Sequence, residues 1–153
     1  MWLLKIGLLG VVSIVAINAD QAQGSTVVLG GAGPAPFFEE ALDKIADNLT
    51  AAGVKVKIFS GEARTRTALL DEMKEKGYRN LLYITLQSPR DAKSDSARGD
   101  IVGSCFVDGK KVWDEESKSP LVLPLGVEHE IESMVNGIVK KIGKRAGGAC
   151  LPK

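Results

Sequence analysis

The hydrophobic positions of this chain alternate between short β-prone runs and stripes at helical spacing. The run 81–86, Leu-Leu-Tyr-Ile-Thr-Leu, is almost unbroken apolar, which is typical of a strand covered on both faces. We predict that the fold is built on this strand. The pattern predicts five strands at 25–29, 54–59, 80–86, 100–107 and 110–116, and three helices at about 36–52, 62–76 and 127–144.

The first and last helices carry the clearest apolar stripes. Spacings of three and four residues place these side chains on one face of each helix. Gly53 and Gly77 are well placed to end the first two helices. The stripes consist of Phe38, Leu42, Ile45, Leu49 and Ala52 in the first helix, and of Val127, Ile131, Val135, Ile138 and Ile142 in the last.

The order of the elements predicts a single α/β domain with a mixed sheet. Helices separate the first three strands, and right-handed crossovers make such strands parallel. In the second strand Val54, Val56 and Ile58 alternate with lysines, so this strand is expected at a sheet edge. Asp108-Gly109 is a hairpin signal that makes the last two strands antiparallel. The predicted architecture is a βαβαβ unit, then a β-hairpin and a C-terminal helix, in two or three layers.

The N-terminus has the layout of a secretory signal peptide. A short segment with Lys5 precedes the apolar stretch 6–17, and small residues follow at Ala16, Ala19 and Ala22. The stretch is shorter than the roughly 20 residues that a transmembrane helix needs. We therefore predict a cleaved signal at 1–19, a linker at 20–24, the α/β domain at 25–146 and a tail at 147–153. The alternative is an uncleaved membrane anchor.

Charge and cysteine content narrow the expected environment. The chain has 20 basic and 19 acidic residues, and removing 1–19 takes away Lys5 alone. Bulk electrostatics thus do not indicate binding to nucleic acid or to anionic membranes. In an exported chain the pair Cys105 and Cys150 favours a disulfide, which would fix the tail to the sheet; two free thiols are the alternative. The expected location is secreted or periplasmic.

The glycine-rich segment 30–36 is the best candidate for a ligand site. It follows a strand and opens a helix, where backbone N–H groups can bind an anion. Pro34 follows Gly33, however, where a phosphate-binding loop needs Lys and Ser or Thr. A structural turn is therefore the expected role, and anion binding is the alternative. The candidate ligand residues are Gly30, Gly31, Ala32 and Gly33.

The other motifs that could carry chemistry are incomplete. His129, the single histidine, has Ser133 where a zinc-protease helix needs a second histidine. Asp91, Asp95 and Asp100 lack the calcium-loop spacing. We predict no catalytic set, no metal and no cofactor. Asn48-Leu49-Thr50 fits a glycosylation acceptor, and the set Arg64, Arg66, Arg79 and Arg90 is a possible surface for an acidic partner.

The segment 119–126 offers the best interaction surface. It brackets apolar residues between Pro120 and Pro124, and these either cover the core or form a partner interface. The candidate interface residues are Leu121, Val122, Leu123 and Leu125.

These features favour a small exported domain that binds an unidentified protein of the bacterial cell envelope and has no enzymatic activity. The element order is similar to that of small α/β domains in periplasmic accessory proteins, such as the N-terminal domain of the TolB type and the penicillin-binding-protein activators. The lipid-anchoring cysteine of the activators is absent here. The alternatives are a small-ligand binder that uses the turn 30–36, and a hydrolase that uses carboxylates such as Asp91 or Asp114.

Overall fold

The computed structural model describes residues 24–59, 64–87, 99–118 and 127–153, with the backbone alone for 127–130. These residues have the predicted α/β fold, and among them five strands and three helices follow in the predicted order. The elements are β1 (Val27–Ala32), α1 (Phe37–Ala51), β2 (Val56–Ile58), α2 (Arg66–Lys76), β3 (Asn80–Gln87), β4 (Asp100–Val107), β5 (Lys110–Lys118) and α3 (Val127–Gly143).

The five strands form one mixed sheet in the order β2-β1-β3-β4-β5. β1 is parallel to β2 and to β3, while β3–β4 and β4–β5 pair antiparallel. Three predictions are confirmed: β3 is the central strand, β2 lies at an edge, and the hairpin forms one side of the sheet. Asp108 and Gly109 both have positive φ, 51° and 81°, as a two-residue hairpin turn requires.

The helices lie on both faces, so the domain has three layers. On one face the helices α1 and α3 cover Leu82, Ile84 and Leu86 of β3. On the other face α2 covers Leu81, but Thr85 is exposed. The prediction that β3 is covered on both faces is therefore right only for its first half. The remainder of the second face, over β4 and β5, is largely polar.

Helix ends follow the local sequence signals. Gly53 has φ 90° just after α1, and the N–H of Val54 donates to the carbonyl of Leu49 at 2.9 Å, which closes the last turn. The start of α2 differs from its prediction near residue 62. Its N-cap is Thr65, whose hydroxyl accepts from the N–H of Ala68 at 3.2 Å, so the helix begins at Arg66.

The structure corrects the first two strands. Gly30, Gly31 and Ala32 were expected in a turn, but they continue β1 and pair with Tyr83, Ile84 and Thr85. Glycine permits this because the backbone of β3 lies too close to Gly31 for any side chain. β2 is shorter than expected, with three residues.

All three helices run opposite to β1, and this gives the domain two distinct ends. α1 and α2 each follow one parallel strand and return to the start of the next. At the end of α3, Gly143 lies beside Asn48 in the last turns of α1. We call the end where β1 begins and where α1 and α2 stop the amino end, and the opposite one the carboxyl end.

Candidate functional site

A concave groove lies between α1 and α3 in the described part of the chain. Its volume is about 570 Å³. It forms because α1 directs Phe38, Leu42 and Ile45 into the core. The neighbouring stripe of the same helix therefore faces α3. The lining residues are Pro36, Phe37, Glu40, Ala41, Lys44, Ile131, Glu132 and Val135.

The floor of the groove is apolar and its rim is charged. Ala41, Ile131 and Val135 are buried, and Phe37 is half-buried. Glu40, Lys44 and Glu132 are exposed, and none of them forms an ion pair with another described residue.

Further carboxylates make this side of the domain acidic. Glu39, Asp43 and Asp47 are exposed along α1, again without an ion pair among the described residues. The described residues that line the groove include no thiol, hydroxyl or imidazole. Its chemistry suits recognition of an apolar segment flanked by cations, because such a segment matches both floor and rim.

Each glycine of the segment 30–33 has a packing reason for its small size. A Cβ on Gly30 would lie 3.0 Å from Leu69 Cδ1, and one on Gly33 would lie 2.8 Å from a ring carbon of Phe38. On Gly31 it would lie 1.7 Å from the carbonyl oxygen of Ile84. The glycines therefore allow α2, α1 and β3 to approach the end of β1 closely.

The same segment nevertheless lies where parallel sheets usually bind ligands. α1 leaves β1 on one face and α2 reaches β3 on the other. The two crossover helices thus diverge to opposite faces at the carboxyl ends of β1 and β3. In open α/β sheets this point is the usual ligand-binding crevice. Gly33 directly follows β1, and Gln87 is the last residue of β3.

The arginines that sequence analysis grouped together diverge. Arg64 pairs with Glu72, and its carbonyl accepts the Tyr83 hydroxyl at 2.8 Å. Arg66 stacks 5.3 Å from the ring centroid of Phe106. Arg79 forms a bidentate pair with Asp108 at 2.7 and 2.9 Å at the amino end. Among the described residues they do not build one surface for an acidic partner; Arg90 lies outside them.

The face of β4 and β5 that no described helix covers holds a carboxylate pair that sequence reasoning missed. Partial burial raises the pKa of Asp100, and the nearby Glu116 carboxylate raises that pKa further, while Lys118 opposes both. Asp114 differs: hydrogen bonds from Ser104 and Lys111 lower its pKa. Asp100 and Glu116 meet only through the β4–β5 register, and a strand pattern alone does not give that register.

Tyr83 lies near the same face, beside α2. Burial raises the pKa of its hydroxyl, and Arg66 opposes this. Together with its bond to the Arg64 carbonyl, this makes Tyr83 a neutral group that fixes the start of α2.

The predicted disulfide is present. Cys105 of β4 is bonded to Cys150, with Cα atoms 6.1 Å apart, and both residues are buried. The tail is held further where Trp113 Nε1 donates to the Ala149 carbonyl at 3.3 Å, and where Arg145 stacks over that indole and pairs with Glu115. The bond therefore fixes the tail to the sheet, as the sequence predicted.

Several predictions fall outside the described residues. These include the signal peptide, Asp91, Asp95 and the four interface leucine and valine positions 121–123 and 125. The backbone of His129 belongs to α3, but its side chain is not described. Asn48 of the glycosylation pattern is exposed on α1.

Two searches of the described residues found nothing. No described helix has the length and apolar character needed to cross a membrane. No group of three or more histidine, cysteine or acidic side chains within the described ranges could hold a metal ion.

The fold is similar to that of solved structures. No protein-family model and no curated protein matches the chain. The PelC dodecamer from Paraburkholderia phytofirmans matches with a TM-score of 0.51 and 16% identity, over 79% of this chain and 89% of that one. A point variant of the same PelC dodecamer matches with a TM-score of 0.50 and 14% identity, over the same shares. At this identity the likeness concerns the fold alone.

Proposed function

We propose that this chain is an exported, non-enzymatic domain of the bacterial cell envelope that binds a protein partner in the α1–α3 groove. The groove carries the proposal, because it combines a buried apolar floor with a charged rim on which Glu40 and Glu132 form no ion pair with another described residue. The disulfide supports export, since such bonds persist in oxidising compartments. The signal-like N-terminus agrees with this.

The chemistry of the groove specifies its occupant. Apolar side chains of the partner fill the space over Ala41 and Val135, and lysines or arginines on either side reach Glu40 and Glu132. Such a segment is amphipathic and basic, as in helix-in-groove recognition. A second copy of this chain is the competing occupant, because the PelC proteins of similar fold are dodecamers.

Native mass spectrometry of the protein, taken gently from its own cells, tests the proposal. A complex with a second protein supports the proposal. A multimer of this chain alone would show instead that the groove serves self-assembly. The affinity of the partner is then measured for the double variant Glu40→Lys with Glu132→Lys and for the wild type. Reversing both rim charges should weaken binding roughly tenfold or more, because like charges would then face each other.

A matched control changes the same charge on the other face of the sheet. Asp71→Lys with Glu75→Lys alters two exposed carboxylates of α2 and should leave the affinity unchanged. If the groove variant binds as tightly as wild type, or the two variants weaken binding equally, the groove is not the site.

The segment that contains Leu121, Val122, Leu123 and Leu125 remains a proposed part of the same interface. It directly precedes α3, which forms one wall of the groove. Leu123→Asp separates the two roles. A folded variant that loses the partner supports an interface, whereas loss of the fold supports a place in the core.

A small-ligand site at the carboxyl ends of β1 and β3 is the second candidate. This site is favoured because the crossover helices diverge to opposite faces between these two strands. A small added mass in native mass spectrometry would support it if Gln87→Trp, at the exposed end of β3, removed that mass. An added mass that persists in this variant would place the ligand elsewhere.

A further inference from the structure

We infer that the outer edge of β2 binds an extended acidic peptide of another protein as an additional strand. β2 is the first strand of the sheet, and no described strand pairs with its outer side. An edge strand presents backbone N–H and C=O groups that can extend the sheet onto another chain. The described residues that line this edge are all different from those of the α1–α3 groove, so the two binding sites are separate.

The hydrogen bonds between β1 and β2 show which backbone groups face outward. At one end of β2 the Lys55 carbonyl accepts from a β1 N–H at 2.8 Å, and at the other the Phe59 N–H donates to a β1 carbonyl at 3.0 Å. Along a parallel pair, successive residues of one strand alternate between bonding to the neighbouring strand and pointing away from it. The backbone groups of Val56 and Ile58 therefore point away from β1, and no other described residue bonds to them.

An open concavity of about 580 Å³ lies along this edge. Lys55 and Lys57 line it, both are exposed, and neither forms an ion pair with another described residue. Lys57 Nζ lies 5.7 Å from the ring centroid of Tyr78, a cation–π contact that holds this charge beside the strand. The described lining of the concavity includes no acidic residue, so its local charge is positive.

The side chains of the edge define the chemistry of the peptide. Val56 and Ile58 are half-buried and pack against the core on one face of the sheet. Lys57 lies on the opposite face, because side chains alternate along a strand. An added strand would place every second side chain beside the lysines and the others beside Val56 and Ile58. The peptide that matches both faces alternates acidic and apolar residues.

Lysines on an edge strand can also serve to keep other strands away. The β5 edge has further protection, because Lys141 donates to the Glu116 carbonyl and a register shift interrupts the β4–β5 ladder. A second copy paired antiparallel about Val56 would bring Lys55 opposite Lys57 of that copy, and like charges directly opposite are destabilising. The lysines of β2 therefore disfavour a second copy and favour an acidic strand.

The peptide Glu-Val-Glu-Val-Glu-Val-Glu, with blocked ends, tests this site on the protein purified from its own cells. We expect it to slow the hydrogen exchange of the Val56 and Ile58 amides in NMR spectra, because these groups become hydrogen-bonded. The counterpart with lysine in place of glutamate should bind more weakly. Lys55→Glu with Lys57→Glu should weaken binding of the glutamate peptide about tenfold and improve that of the lysine peptide, because attractive cross-strand pairs become repulsive.

Val56→Pro tests the backbone contribution. It removes an outward N–H without removing a bond to β1, and proline is tolerated at the first residue of an edge strand. The variant should bind the glutamate peptide roughly fivefold more weakly, the loss of one hydrogen bond. If this variant binds as tightly as wild type, the inference is wrong; if it does not fold, the reversed lysines decide.

Two controls separate this edge from other charged regions. Lys110→Glu with Lys118→Glu makes the same charge change on β5, and Glu40→Lys with Glu132→Lys changes the groove rim. Both variants should bind the glutamate peptide nearly as the wild type does. Equal binding of the two peptides, unchanged exchange at the two β2 amides, or an equal loss when β5 is altered overturns the inference.

Discussion

Gly31 shows how one residue can fix both backbone and packing. Its φ is 154°, and a Cβ there would lie 1.7 Å from the carbonyl oxygen of Ile84. We expect Gly31→Ala to cost more than about 4 kcal/mol of unfolding free energy, or to prevent folding, because β1 and β3 would have to separate. Urea denaturation followed by circular dichroism measures this.

Gly109 is the control for conformational strain alone. It also has positive φ, 81°, but a Cβ there would meet nothing within 4 Å. Gly109→Ala should cost only about 1–2 kcal/mol, the usual penalty for a left-handed residue. Similar losses at both positions would show that the contact with Ile84 does not matter.

The disulfide is the second feature that acts at the scale of single residues. Cys105→Ala with Cys150→Ala should lower the unfolding free energy by about 2–5 kcal/mol, because the bond restricts the unfolded chain. The bond closes a separation of 45 residues. Reductant should lower the denaturation midpoint of the wild type and leave that of the double variant unchanged. A wild type insensitive to reductant in the unfolding transition would contradict this.

The carboxylates of the open sheet face predict opposite pH dependences. The folded pKa of Asp100 is raised, above all by burial. Its charged form is therefore disfavoured in the fold, and it removes stability as pH rises from about its ordinary value of 3.8 through the folded pKa. Asp100→Asn should abolish this fall, as pH-dependent urea denaturation would show.

Asp114 provides the comparison on the same face. Hydrogen bonds from Ser104 and Lys111 lower its folded pKa, so it adds stability above its ordinary value, and this is lost as pH falls through the folded pKa. Asp114→Asn should therefore weaken the fold at neutral pH and reduce its acid sensitivity. If both variants changed the stability at neutral pH in the same direction, the contacts described for Asp100 and Asp114 would be wrong.

At the scale of elements, α3 approaches β5 through a single small residue. A Cβ on Gly137 would lie 2.3 Å from Ser117 Oγ and 3.3 Å from Ser117 Cβ. Gly137→Ala should cost about 1–3 kcal/mol through overpacking, even though alanine favours helix formation by about 1 kcal/mol. Ser117→Ala removes the nearer atom, so the double variant should recover part of the loss. Additive losses in a double-mutant cycle would exclude the contact.

Sequence patterns predict elements well where the signal is local. The stripe from Phe38 to Leu49 gives α1, and Asp108-Gly109 gives the hairpin. The end of β1 was missed, because three residues rich in glycine resemble a turn unless the strand beside them is known. The start of α2 was missed because a threonine cap is a weak signal without its hydrogen bond.

At the scale of the molecule, the sequence reveals composition but not arrangement. It has 20 basic and 19 acidic residues, so its overall charge is no reason to expect binding to anionic membranes. The register of the strands gathers Lys55 and Lys110 at one end, while α1 carries unpaired acids beside the groove. The α1–α3 groove also depends on how two distant helices pack, and no local pattern specifies that packing.

The separation of the groove rim from the amino end yields a last prediction. The groove rim lies between α1 and α3, whereas Lys55 and Lys110 lie at strand ends of the amino end. Lys55→Glu with Lys110→Glu should leave partner affinity unchanged, whereas Glu40→Lys with Glu132→Lys should weaken partner binding. Combined in one chain, the changes should be additive, because separated sites without shared partners couple by less than about 0.5 kcal/mol. Measurements of partner affinity on the four proteins would detect stronger coupling, which would require that the partner contact both regions as one continuous surface.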